Sequence, residues 1–133
     1  LYGYNTKYQL DKIPELGALI SERSNIPIAR NKPVLGHGNF IRESGIGINF
    51  VMNDPLVRFG THPSLTGKVG EVVLGKKSGK ASIIYKMGEL GMGALEDEKI
   101  GLILDEVKST GIAKRDVLTN DEFTNIVAAV MAK

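Results

Sequence analysis

Cysteine is absent from the 133 residues, and histidine occurs only as His37 and His62. The first absence excludes a disulfide framework and thiolate metal sites, and the second leaves little from which to build a histidine-based one. Charge of neither sign is in excess. Seventeen Lys and Arg against fifteen Asp and Glu leave a formal +2, too little for the summed field to imply a nucleic acid or an anionic membrane surface. No run reaches the roughly eighteen apolar residues that suggest a bilayer span, and the first residues lack the basic-then-apolar order of a signal peptide. These absences are compatible with a reducing cytoplasm. The chain opens on Leu1 rather than Met, as expected of a processed chain or a piece of a longer one.

A composition of 42% hydrophobic and 24% charged residues fits one compact domain or a few small subdomains. A short turn is expected at Asn5-Thr6 and a helix from about Pro14 to Arg23, because proline suits a first helical turn and Leu16, Leu19 and Ile20 share a face. Ile26-Pro27-Ile28 then leaves in extended form. From Asn31 to Gly47 four glycines and one proline predict an ordered loop, and Glu71 to Leu74 a short strand. Beyond residue 80 the periodicity is helical. Ser78 is expected to cap a helix over 79–90 closed by Gly91. A second helix at 96–110 carries Ile100, Ile103, Leu104 and Val107, with Gly111 just past its end. Thr119-Asn120-Asp121-Glu122 is a capping box ahead of Phe123, Ile126, Val127 and Val130. The fold class is therefore mainly α with irregular glycine-rich loops. Its expected parts are a connecting helical segment (1–30), a glycine-rich linker and first small subdomain (31–77), and a three-helix second subdomain (78–133).

Two stretches depart from core patterning. Between Lys68 and Lys86 stand five lysines and one acid, Glu71. Lys76, Lys77, Ser78 and Lys80 fall where a helix N-terminus offers free amides, so an anion such as a phosphate or coenzyme is one reading and a solvated or packing role the other. The run Gly70 to Lys76 begins like a P-loop, but Lys77 stands where Ser or Thr must hold magnesium, and Val72-Val73-Leu74 calls for burial. No aromatic residues interleave with the lysines as single-stranded nucleic acid would require. The second stretch, Gly36 to Gly47, holds His37, Arg42, Glu43 and Ser44. It reads either as a loop delivering side chains to a ligand or as tight-turn scaffolding, with Arg42 and Glu43 a surface pair.

Taken in order, Asn31-Lys32-Pro33, Gly36, Asn39-Phe40, Glu43-Ser44-Gly45-Ile46, Pro63, Gly67 and Leu74-Gly75-Lys76-Lys77-Ser78-Gly79-Lys80 resemble the post-barrel C-terminal region of the isopropylmalate synthase and homocitrate synthase family. The resemblance covers nearly the whole chain. It implies a metal-dependent acyltransferase that condenses an acyl-CoA with a 2-oxo acid. The divalent metal (Mg, Mn or Zn) and the general base would lie in a TIM barrel of at least about 200 residues, which this chain does not contain. The helical subdomains here would follow that barrel, dimerise, and cover an active site of the same or a partner chain; neither nucleic acid nor membrane is implied.

Two departures from the family pattern bear on chemistry. Arg42 and Gly47 stand where the family has the histidines flanking Glu-Ser-Gly-Ile, and a tyrosine expected downstream has only Phe59 nearby. The residues expected to assist catalysis are therefore Arg42, Glu43 and Ser44 as polarising or positioning groups and His62 for proton transfer. Lys76, Lys77, Ser78 and Lys80 are the expected coenzyme contacts. Three readings stay open: the cover of a synthase or of a related carbon–carbon lyase, a non-catalytic assembly or regulatory module, and a free-standing anion or nucleotide binder.

Overall fold

A computed structural model describes residues 7–132. The turn expected at Asn5-Thr6 lies outside them. Five α-helices, α1 (Ile13–Ser24), α2 (Ile48–Asn53), α3 (Lys80–Glu89), α4 (Asp97–Lys114) and α5 (Asn120–Met131), dominate the described residues, with two short strands, β1 (Ile41–Arg42) and β2 (Glu71–Val72). The mainly helical expectation holds. The chain divides into two compact units, each built from separated stretches. The first takes the described residues up to Phe40 with Pro55–Gly70, and the second takes Ile41–Asp54 with Glu71 onward.

In the first unit a single 3₁₀ turn, Leu10–Lys12, leads into α1. Pro14 occupies the first turn, where its missing N–H costs nothing, and Asn25 ends the helix at φ 56°, a left-handed conformation that asparagine tolerates. Its buried residue is Gly17, which lies against Leu35. Leu16, Leu19 and Ile20 are about half exposed, so their shared apolar face is not used within the unit. Two further 3₁₀ turns follow, Pro55–Val57 and Pro63–Thr66, the latter closing at Gly67 (φ 66°). Lys68 ties the loop together: its Nζ donates to Leu35 O (2.7 Å) and Gly36 O (3.1 Å).

The second unit holds the larger core. Ile83 and Met87 of α3, Ile100, Ile103 and Val107 of α4, and Phe123, Val127 and Val130 of α5 bury together with Leu74 and Leu118. Each such side chain contributes about 1.5–3 kcal/mol over an exposed one. The three-helix packing and its apolar stripes are those the periodicity predicts. β1 and β2 pair in parallel, Ile41 with Glu71 and Arg42 with Val72. The next residues run past this pair to an antiparallel bridge between Leu74 and Leu118. The strand at Glu71 and the capping box at Thr119 are both present: Thr119 Oγ1 accepts from Glu122 N (3.2 Å) and Glu122 Oε2 accepts from Thr119 N (2.7 Å).

Two helix ends differ from expectation. Gly111 does not stop α4, which continues to Lys114 and ends at Arg115 with φ 58°. Gly111 is buried in the last turn of α4, where the helix crosses the backbone of Gly75 and Lys76, and a Cβ there would sit 3.1 Å from both Gly75 Cα and Lys76 N. Nor does Ser78 cap α3. The N-cap is Gly79, whose N–H is taken by Ser82 Oγ (3.3 Å). At the other end Gly91 has the expected left-handed conformation (φ 69°).

Candidate functional site

The parts of the two unusual stretches that lie in the second unit, 41–47 and 71–82, meet there and form one clasp. β1 delivers Arg42 and then Glu43-Ser44-Gly45-Ile46; β2 and the Leu74 bridge deliver the turn Gly75-Lys76-Lys77-Ser78 and the start of α3. Glu43 Oε1 accepts from the backbone N–H of Lys77 (2.9 Å). A Cβ at Gly75 would stand 2.7 Å from that same oxygen, so a side chain there would push the carboxylate out of this position. Ser78 Oγ accepts from Gly75 N (3.0 Å) and donates to Glu43 O (3.5 Å), and Ser82 Oγ donates to the same carbonyl (3.4 Å). Gly45 lies directly on Gly79: a Cβ on Gly45 would fall 2.8 Å from Gly79 Cα and 2.9 Å from its N.

Of the expected catalytic groups, this clasp gathers Arg42, Glu43 and Ser44. Arg42 and Glu43 do not pair with each other. The Arg42 guanidinium donates through Nη2 to Ile46 O (2.5 Å), closing the Glu43–Ile46 turn, while its Nε is buried without a hydrogen-bond partner among the described residues. Ser44 Oγ accepts from Ile46 N (3.3 Å). Gly47 follows at φ 66° and starts α2. His62 belongs to the first unit, where its Nδ1 accepts from Ser64 N (3.3 Å) and lies 2.7 Å from Ser64 Oγ. Accepting that N–H leaves Nε2 to carry the proton of the neutral ring. His37 is exposed.

Among the expected coenzyme contacts, Lys76 and Lys77 are exposed at the turn and Lys80 pairs with Asp97 Oδ2 (2.5 Å). Ser78 is 3% exposed, its hydroxyl engaged inside the turn. Val72 and Leu74 are each 1% exposed, the burial that argues against a phosphate loop. Residues the sequence did not single out include Arg58 and Val34; Phe59 was noted only as the aromatic nearest the family's tyrosine. The signal for Arg58 was a charge beside that aromatic ahead of Gly60, and for Val34 there was none.

A small helical unit whose two glycine-bearing motifs lock together is the class of structure seen here. No family model matches the chain. Relatives do. It is 35% identical over 129 residues to a probable 2-isopropylmalate synthase from Ignicoccus hospitalis, covering 97% of this chain and 31% of that protein. Over 133 residues it is 31% identical to a homocitrate synthase from Methanocaldococcus jannaschii, covering 100% of this chain and 32% of the relative. An (R)-citramalate synthase of the same organism is 30% identical over 111 residues, 84% of this chain and 22% of that one. These relatives place the chain in the isopropylmalate synthase and homocitrate synthase family. It spans between 22% and 33% of the length of the curated relatives it matches.

Proposed function

We propose that this chain is the region following the barrel of a synthase that condenses an acyl-CoA with a 2-oxo acid, and that its clasp helps to cover an active site. One observation carries the reading: beside the polar clasp, Ile46 is 82% exposed and Phe50 73% exposed. Large exposed apolar side chains on an ordered polar turn (Ile46) and on the helix that follows it (Phe50) suit contact with a second body, here the catalytic barrel of the same or a partner chain in a homodimer. Closing such a body over the reacting carbonyl excludes water, which favours enolate chemistry.

Within the clasp, Arg42 holds a fixed positive charge at the turn, and the Glu43 carboxylate is committed to Lys77 N. Arg42 is accordingly a positioning and polarising group rather than a base. Ser44 keeps a hydroxyl proton to donate. His62, with Nε2 as the remaining ring position, is the proton-transfer candidate of the first unit. Lys76 and Lys77 are the exposed cations with which a coenzyme phosphate would pair. No three of His, Cys, Asp and Glu converge to hold a metal among the described residues. In this reading the divalent ion belongs to the barrel, and no step here is routed through it.

The test is thiol release from acyl-CoA by the complete polypeptide, or by this chain supplied with its barrel, over a panel of 2-oxo acids with magnesium or manganese. Release that depends on one acid and falls when Ile46 and Phe50 are replaced by aspartate is expected. No release with any acid, from a folded and metal-loaded protein, would overturn it. Gly47, which cannot transfer a proton where the family has histidine, would then favour the second reading, an assembly module or a related lyase.

A further inference from the structure

Chemistry outside the clasp gathers in the first unit. A cavity of about 340 Å³ is lined there by Asn31, Asn39, Phe40, Arg58, Phe59 and Thr61. Its volume falls within the range of about 300–1,000 Å³ typical of ligand pockets. One side is apolar and fixed. The Phe40 ring, 6% exposed, meets the Phe59 ring edge to face with centroids 5.3 Å apart at 88°. Lys68 Nζ, bound to two carbonyls, sits over the Phe40 ring 6.0 Å from its centroid.

The remaining lining is polar. Arg58 is exposed, and its guanidinium has no ion pair among the described residues, so its five N–H donors remain to be used. Asn39 Nδ2 donates to Lys32 O, which orients the amide and leaves Oδ1 as an acceptor. The wall also contains Val34 at φ 67°. A β-branched residue in that conformation is an outlier that persists only where its surroundings impose it, and such positions cluster at ligand sites.

We propose that this cavity binds a small organic carboxylate with a planar or apolar body. Arg58 takes the carboxylate in a two-pronged charge-assisted contact, the geometry its guanidinium fits best. The Phe40 and Phe59 pair takes the body, and Asn31 and Thr61 offer further polar contacts at the charged end. All of these residues belong to the first unit, so the proposal does not depend on the synthase reading.

The test is a titration of the full 133-residue chain with benzoate, followed by ¹⁵N amide shifts and repeated with Arg58→Gln. Saturable shifts at Asn39, Gly60 and Thr61 are expected, weakened about tenfold or more in the variant, and benzamide, of the same shape without charge, should bind at least about tenfold more weakly. Shifts that do not saturate, or an affinity that Arg58→Gln leaves unchanged, would overturn the proposal. Inorganic phosphate binding as tightly as benzoate would overturn the assignment to a carboxylate with an apolar body.

Discussion

Gly45→Ala tests whether the two motifs are one clasp. The added Cβ would lie 2.8 Å from Gly79 Cα, 2.9 Å from its N and 3.3 Å from its C. These are backbone atoms, so no flexible side-chain end can swing away. Against an optimum of about 3.5–4.0 Å the two segments must part by roughly 0.7 Å or more, at an overpacking cost of about 1–3 kcal/mol. Parting also lengthens the bonds from Ser78 and Ser82 to Glu43 O, already 3.5 and 3.4 Å, each worth about 0.5–1.5 kcal/mol at most. A loss of about 2–4 kcal/mol follows. Gly101→Ala is the internal control: it lies within α4 with nothing within 4 Å of its Cβ, so it should stabilise by about 0.5–1 kcal/mol through helix propensity. In urea unfolding followed by circular dichroism, with a slope of about 2 kcal/mol per molar, Gly45→Ala should lower the midpoint by about 1–2 M and Gly101→Ala should raise it. A Gly45→Ala midpoint equal to or above that of the parent chain would refute the clasp.

Removing the Ser78 hydroxyl leaves Gly75 N–H buried without its acceptor, so Ser78→Ala should cost about 1–3 kcal/mol in the same assay, while Lys77→Ala, which keeps its backbone donor, should stay within about 0.5 kcal/mol. The Lys114 hydrogen bond, then that from Thr119 N, holds the Glu122 carboxyl below the usual carboxylate range. Its contribution to stability is therefore complete above the unfolded value of about 4.3 and is lost as pH falls through the lower folded value. Urea midpoints measured down that range should fall less steeply for Glu122→Gln than for the parent chain. Arg115 is exposed in a left-handed conformation at the end of α4. Arg115→Gly should raise stability by about 1 kcal/mol, detectable as a higher melting temperature.

Local signals were legible where one physical cause acts within a few residues. The stripe on α4, the Thr119 box and Pro14 in the first turn of α1 each announce themselves through spacing of about one helical turn. α2 did not, because six residues behind a left-handed Gly47 hold only Ile48 and Val51 as a buried pair. A glycine following an apolar stripe ordinarily ends a helix, so Gly111 read as a stop. A tertiary crossing with Gly75 was the actual reason for the missing side chain. The same holds for the site. Glu43 and Ser78 were singled out by composition, yet they meet each other across 35 residues and Glu43 O also accepts from Ser82, 39 residues away, beyond any periodic pattern.

The interleaving of the two units bears on synthesis. When Gly70 has been added, all the described residues of the first unit exist, whereas Ile41–Asp54 has none of its later partners. β1 lacks β2, Gly45 lacks Gly79, and the Glu43 carboxylate lacks the Lys77 amide. At about 5–20 residues per second, roughly 3–12 s pass before α5 is complete. During that time the segment carrying Ile46 and Phe50 exists without the partners that hold it in the finished chain. Each unit is discontinuous, so a single cut or gene fusion cannot transfer either of them whole without part of the other.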